Sequence, residues 1–218
     1  MTKVIFPGSF DPIHFGHIDI ARRASLLFSE VVVAVYDKPI KTLLFSPEER
    51  IALVKEAMEG LPNVSVLGYR ELTVSFARKV GAQAIVRGLR VFSDFEYEFR
   101  MALANKRLDP DIDVIALITD EQHTFLSSST VREIAALDGD VSSMVPDFVQ
   151  RALKAKFKAL GDNQTVVPTS SLKDWKTPSL ISGVWKSGIK TAPIIKNNDK
   201  LYLGVIYDKR RSSWISSI

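Results

Sequence analysis

The chain has no cysteine. Within these 218 residues that excludes a disulfide scaffold, a thiolate metal site and a cysteine nucleophile. Histidine is scarce too, with three in all. No apolar run reaches the 18 or so residues that a membrane-spanning helix needs. The opening stretch MTKVIFPGSFDP lacks the apolar core and small-residue cleavage site of a secretory signal, so a cytoplasmic location is expected, with no membrane partner. Excess charge is missing from most of the chain. Residues 162–218 hold seven Lys, two Arg and four Asp, a net of +5, while residues 1–161 hold twenty basic and twenty-one acidic side chains, a net of −1. The first part therefore has no broad polybasic signature of a nucleic-acid binder. A local cluster of cations, suited to a small anionic ligand, is the alternative.

What is present is ordinary globular material: 46% apolar and 25% charged residues, enough to bury a core. The first 160 residues alternate between two patterns. Lys3 to Phe6, Glu30 to Tyr36 (EVVVAVY), Asn63 to Leu67, Gln83 to Val86 and Asp113 to Ile118 are short β-branched runs. Such runs are expected of strands buried on both faces of a parallel sheet. Between them the spacing predicts helices over His17–Phe28, Val74–Lys79, Asp94–Arg107, Ser129–Leu137 and Pro146–Leu160. A further helix opens at Ser46-Pro-Glu-Glu, with a capping residue, a proline at the first helical position and acidic residues in the first turn. This alternation predicts a doubly wound α/β domain over residues 1–161.

The pattern stops near Gly161. Residues 162–218 form a second unit, a C-terminal extension rich in Ser and Lys that holds all three tryptophans, Trp175, Trp185 and Trp214. LISGVW and KLYLGVIYD read as strands, and Asn197-Asn198-Asp199 as a hairpin turn, so the appendage is expected to be small and β-rich. No motif attaches to it. An accessory module, a scaffold or peptide-binding segment with an unknown partner, and an added segment all stay open.

The strongest chemical signal is PGSFDPIHFGHIDIARRA, Pro7 to Ala24, where the first strand meets the first helix. In open α/β sheets, ligands bind at the carboxyl ends of strands and near helix N-termini. Gly8 can admit a phosphate to the backbone, Ser9 offers a hydroxyl, and Gly16 allows His14 and His17 to pack closely. A lone His-x-x-His is more often a cap plus a surface histidine. After a strand, a Pro-Gly turn and an Asp-Pro turn, the functional reading is favoured. Zinc is disfavoured, because His123 is the one further histidine and there is no cysteine. Lys41, Arg87 and Arg90 follow predicted strands, and Ser127-Ser128-Ser129 precede a helix. Positioned cations and hydrogen-bond donors of this kind suit a reaction that gathers charge on phosphate oxygens.

The first motif resembles that of the H-x-G-H nucleotidyltransferases. With RGLRVFSDFEYE and HTFLSSSTVREIAAL in order behind it, the chain over roughly residues 3–160 closely resembles the bacterial phosphopantetheine adenylyltransferases. That resemblance implies a Rossmann-like nucleotidyltransferase fold. It implies transfer of AMP from ATP to 4′-phosphopantetheine, giving dephospho-coenzyme A and pyrophosphate, with Mg²⁺ on the triphosphate and a homohexamer in the cytoplasm. It also implies site roles. Ser9, His17 and Lys41 are the catalytic set, and Ser9, Lys41, Thr73 and Arg87 hold the acceptor, whose pantetheine arm runs near Leu72-Thr73. Ser9, Phe10, His17, Gly88, Leu89, Arg90 and Glu98, with His123, Thr124, Phe125, Leu126, Ser127, Ser128 and Ser129, bind ATP. Two departures stand out. Ser9 replaces a frequent threonine and keeps the hydroxyl, while His123 replaces an aromatic found in some members.

Overall fold

In the computed structural model the described residues are 2–37 and 43–161, plus four short strands between 194 and 215. Those four strands, and Phe92 and Ser93, are described by backbone alone. The chain divides into two compact units, Met1–Val166 and Val167–Ile218.

The first unit is built on five parallel strands: β1 (Lys3–Gly8), β2 (Glu30–Tyr36), β3 (Val64–Tyr69), β4 (Ala84–Leu89) and β5 (Asp113–Ile118). Their spatial order is β3-β2-β1-β4-β5. The chain winds outward from β1 to β3, then crosses back to lay β4 on the other side of β1. The winding direction therefore reverses between β1 and β4, the switch point where doubly wound sheets open a crevice.

The unbroken apolar runs are explained by burial on both faces. Val4 and Phe6 of β1, with Val31, Val33 and Val35 of β2, point into one core against Ile20, Ala21 and Ala24 of α1 (Phe15–Leu27) and Val149 and Leu153 of α6 (Asp147–Leu160). The alternate residues Ile5, Val32, Ala34 and Ile85 face the other core, against Val74, Phe76 and Ala77 of α3 (Thr73–Lys79). Period-two alternation with both faces covered leaves no polar position. The expectation of double burial fails at β3 and β5. These are sheet edges, and Leu67 and Ile118 there are exposed.

Helix α2 (Pro47–Ala57) begins as its sequence predicts. The Ser46 hydroxyl accepts the Glu49 N–H at 3.2 Å, and the Glu49 carboxylate accepts the Ser46 N–H at 2.7 Å. Other boundaries move by one to three residues. α1 starts at Phe15 with His14 as its cap, α4 (Phe92–Leu108) starts two residues early, and α5 spans Ser128–Ala136. β1 runs on through Pro7-Gly8, and β4 runs on through Arg87-Gly88-Leu89, so these residues end their strands rather than follow them.

In the second unit β6 (Ile194–Asn197) pairs antiparallel with β7 (Lys200–Leu203), and β8 (Ile206–Asp208) with β9 (Ser213–Ile215). β6 and β7 thus flank the expected turn, whose Asn198 and Asp199 lie outside the described residues, and KLYLGVIYD contributes to two strands instead of one. LISGVW lies outside the described residues.

Candidate active site

The register of the sheet creates the site. β1 and β4 are paired only at Val4↔Ala84 and Ile5↔Ile85, whereas β4 and β5 stay paired through Leu89↔Ile118. Beyond Ile85 the central strands part. Arg87 spans the gap, with Nη1 donating to the Pro7 carbonyl at 2.7 Å. A cavity of about 270 Å³ opens there, and Ser9, Thr73, Arg87 and Glu98 all line it. Four positions nominated from separate parts of the sequence are thereby brought to one place.

Glu98 and Arg87 form a two-point ion pair, Nε to Oε2 at 2.8 Å and Nη2 to Oε1 at 2.6 Å. Burial opposes the Arg87 charge, but the Glu98 carboxylate outweighs it and holds the guanidinium above its ordinary pKa. Glu98 therefore sits on the cavity with the acceptor candidates. Tyr69, whose phenol burial pushes up, lies 3.1 Å from the Thr73 hydroxyl on the same wall. α4 adds Met101, Ala102 and Asn105 to the lining, residues the sequence reading missed. They are three, four and seven positions beyond Glu98, so helical spacing from Glu98 was the available signal. Leu72, the cap of α3, is exposed beside Thr73.

A second cluster surrounds His17. Its ring stacks on His14 at 3.6 Å between centroids, tilted by 22°. A Cβ at position 16 would come within 3.2 Å of the His14 ring, so Gly16 permits the stack, as its place in the motif suggests. The His14 backbone N–H donates to His17 Nδ1 at 3.4 Å, which leaves Nε2 as the proton-bearing nitrogen of a neutral His17. His14 itself is buried, and burial, Arg90 and His123, in that order, lower its pKa to about 3. Arg90 pairs with Asp94 at 2.9 Å and donates to the Leu126 carbonyl at 2.5 Å. His123 stacks at 6.4 Å on Phe15.

The hydroxyl run behaves as a helix start. Ser127 caps α5 by accepting the Thr130 N–H at 3.1 Å, and Ser128 donates to the Pro12 carbonyl at 2.9 Å, tying α5 to the first motif. Ser129 is exposed in the first turn, and Thr124 donates to the Asp120 carbonyl at 3.3 Å. The first-turn N–H groups make this end favourable for phosphate.

Several nominated residues have their side chains elsewhere. Phe10 is 1% exposed, packed edge-on to Phe6 at 5.5 Å and to His17 at 5.0 Å, so only its backbone is available to a nucleotide. A Cβ on Gly8 would lie 2.9 Å from the Phe10 ring, so the packing of that ring is one reason for glycine there. The Leu126 side chain is core, while Phe125 is exposed. Gly88 and Leu89 offer backbone at the strand end. Lys41 lies outside the described residues.

A strand-switch crevice, a histidine pair at the first strand–helix junction and a hydroxyl-capped helix facing it define the nucleotidyltransferase class. The cytidylyltransferase-like family matches residues 5–134, and the chain belongs to it. Within that class it belongs with the phosphopantetheine adenylyltransferases. It is 54% identical over 157 residues to the protein of that name from Roseiflexus sp. (strain RS-1), covering 72% of this chain and 98% of that one. It is 48% identical over 162 residues to that of Desulforudis audaxviator (strain MP104C), covering 74% of this chain and 99% of that one. A solved structure from Vibrio parahaemolyticus, a candidate nicotinate-nucleotide adenylyltransferase, shares the fold at a TM-score of 0.57 and 21% identity, over 72% of this chain and 96% of that one.

Proposed function

We propose that the chain transfers AMP from ATP to 4′-phosphopantetheine, releasing pyrophosphate and forming dephospho-coenzyme A. The observation that supports it most is the convergence of Ser9, Thr73, Arg87 and Glu98 on one cavity at the parted β1/β4 edge, beside the His14–His17 stack. In this reading the acceptor's phosphate enters that cavity, and Arg87 offers its remaining N–H groups to it. Lys41, by resemblance, completes the grip. The triphosphate lies toward Arg90 and the first turn of α5. An acceptor oxygen attacks the α-phosphorus in line as pyrophosphate leaves. Charge gathers on non-bridging oxygens, where His17 Nε2–H and the Ser9 hydroxyl are the donors. Holding two anions in attack geometry is worth roughly 7–11 kcal/mol in itself.

Mg²⁺ belongs to the proposal as a companion of the triphosphate, held by phosphate oxygens. Among the described residues no three His, Asp or Glu side chains gather to hold a metal. Self-association, to a hexamer by resemblance, belongs to it as well. Phe95, Phe99 and Leu103 recur at helical spacing on α4, each about half exposed, which is an apolar stripe of the kind another subunit covers. A cytoplasmic site of action fits a coenzyme-forming enzyme. No helix among the described residues is long and apolar enough to cross a membrane.

Incubation with Mg²⁺, ATP and 4′-phosphopantetheine should release pyrophosphate in equal amount to dephospho-coenzyme A. Turnover with glycerol or sugar phosphates but not with phosphopantetheine would overturn the acceptor assignment.

A further inference from the structure

Arg50 is the bulkiest side chain buried completely in the described fold, at 0% exposure. All four of its hydrogen-bond acceptors are backbone carbonyls. Nη1 donates to Ser9 at 2.7 Å and to Tyr36 at 2.8 Å, Nε to Phe45 at 3.3 Å and Nη2 to Asp37 at 3.4 Å. Burial pulls its pKa below the ordinary value, an effect partly countered by Asp11, Asp37 and Glu48. Asp11, also at 0% exposure, holds the same residue, Phe45, through its N–H. Its carboxylate accepts the Phe45 and Leu44 N–H groups at 2.9 Å each and Arg132 Nη1 at 2.8 Å.

A buried guanidinium carries a heavy desolvation penalty, and an apolar side chain of similar volume often serves stability as well or better. Stability is therefore a weak reason for a cation at this position. Geometry offers a better one. Arg50 joins the first-motif turn, the end of β2 and the entry to α2, and its shortest bond is to the carbonyl of Ser9, which lines the acceptor cavity. The planar fork satisfies several carbonyls at fixed angles, which a lysine ammonium cannot reproduce.

We propose that Arg50 is a positioning residue for AMP transfer. It fixes the Ser9 peptide so that the hydroxyl meets the reacting phosphate, and Asp11 completes the brace through Phe45. The proposal rests on the function given above. A displacement of about 1 Å at such a site can cost 10²-fold in rate.

The test is a double-mutant cycle of wild type, Arg50→Lys, Ser9→Ala and the double variant. Turnover is followed by pyrophosphate release, and ATP affinity by equilibrium binding. Arg50→Lys should lower kcat by about tenfold or more while changing the ATP Kd less than about threefold. In the Ser9→Ala background the same substitution should cost less than about threefold further, because coupled residues are non-additive. Additive losses, or a Ser9→Ala variant with wild-type turnover, would overturn the proposal. Should Arg50→Lys fail to fold, Asp11→Asn loosens the same Phe45 backbone from its N–H side and enters the same cycle, with additivity again the contrary result. A wild type that releases no pyrophosphate would instead overturn the functional reading on which the brace depends.

Discussion

His14 and His17 have the same side chain and opposite environments. His14 is shut away beneath its neighbour, with burial first, then Arg90 and His123, pushing its pKa to about 3 against an unfolded value near 6.5. The unfolded chain therefore binds a proton between these values that the folded chain refuses. This contribution to stability is complete above about pH 6.5 and is lost as pH falls toward 3, with a limiting slope of about 1.4 kcal/mol per pH unit. Urea unfolding at pH 7, 6 and 5 should show it, and His14→Gln should flatten the slope. Equal slopes for the two proteins would place the acid sensitivity elsewhere. His17 is the half-buried member of the stack. His17→Ala should lower turnover by about 10²–10³, the loss of roughly 2.7–4 kcal/mol typical of one transition-state donor, with a smaller change in ATP affinity. Arg87, locked to Glu98 on the cavity wall, should behave differently. Arg87→Ala should raise the KM for phosphopantetheine more than that for ATP, and equal rises would show that the guanidinium is structural. The two histidines, Ser9 and Arg87 were legible because motif and strand position coincide. Arg50 and Asp11 were not, since nothing in SPEER or FDP says that a charged side chain turns inward to serve backbone carbonyls and amides as far as 41 residues away.

At the scale of elements, the start of α2 was plain in the sequence because its signal is local. Ser46, Pro47 and Glu49 satisfy the first orphan N–H groups and preset the backbone within four residues. The Glu49 carboxylate also takes Lys156 Nζ of α6 at 2.7 Å, so the cap anchors a second helix. Ser46→Ala should destabilise the fold by about 1 kcal/mol, within the usual 0.5–2, while leaving KM for both substrates near wild type. Denaturant midpoints and initial rates would check this, and a changed KM would mean that the helix entry shapes the site directly. The start of α1 was hidden for the converse reason. Its cap is a histidine held by tertiary packing, with no Ser, Thr, Asp or Asn at position 14 to announce it. The length of β4 was equally non-local. RGL stays extended because β5 lies alongside it through Ile118, and the cavity exists because β1 does not follow. Pairing partners 29 residues apart leave no trace in the periodicity of either segment.

At the scale of the molecule, every described residue that the sequence nominates for the site lies between Ser9 and Ser129, and the relatives matched at 48–54% identity are spanned almost whole by 157–162 residues of this chain. Composition marked the change of character after Gly161, because the strand–helix alternation ends there and charge and tryptophan shift together. The extension's purpose left no such mark, since no phosphate-binding turn or histidine occurs in it. A chain ending at Leu160 should therefore remain soluble and keep adenylyltransferase activity within about twofold, a change in barrier of no more than about 0.4 kcal/mol. Initial rates of pyrophosphate release from the two chains at equal concentration would measure it. The tryptophans supply an independent check on the full-length chain. All three are beyond residue 174, so their emission reports on the extension alone. If the active site is contained in the first 161 residues, saturating ATP or phosphopantetheine should leave that emission unchanged. If the extension folds as a unit around its two pairs of strands, acrylamide should quench the tryptophans less efficiently in buffer than in urea. A ligand-dependent shift in emission together with loss of activity on truncation would make the extension part of the active site. Equal quenching with and without urea would remove the case for a second folded unit.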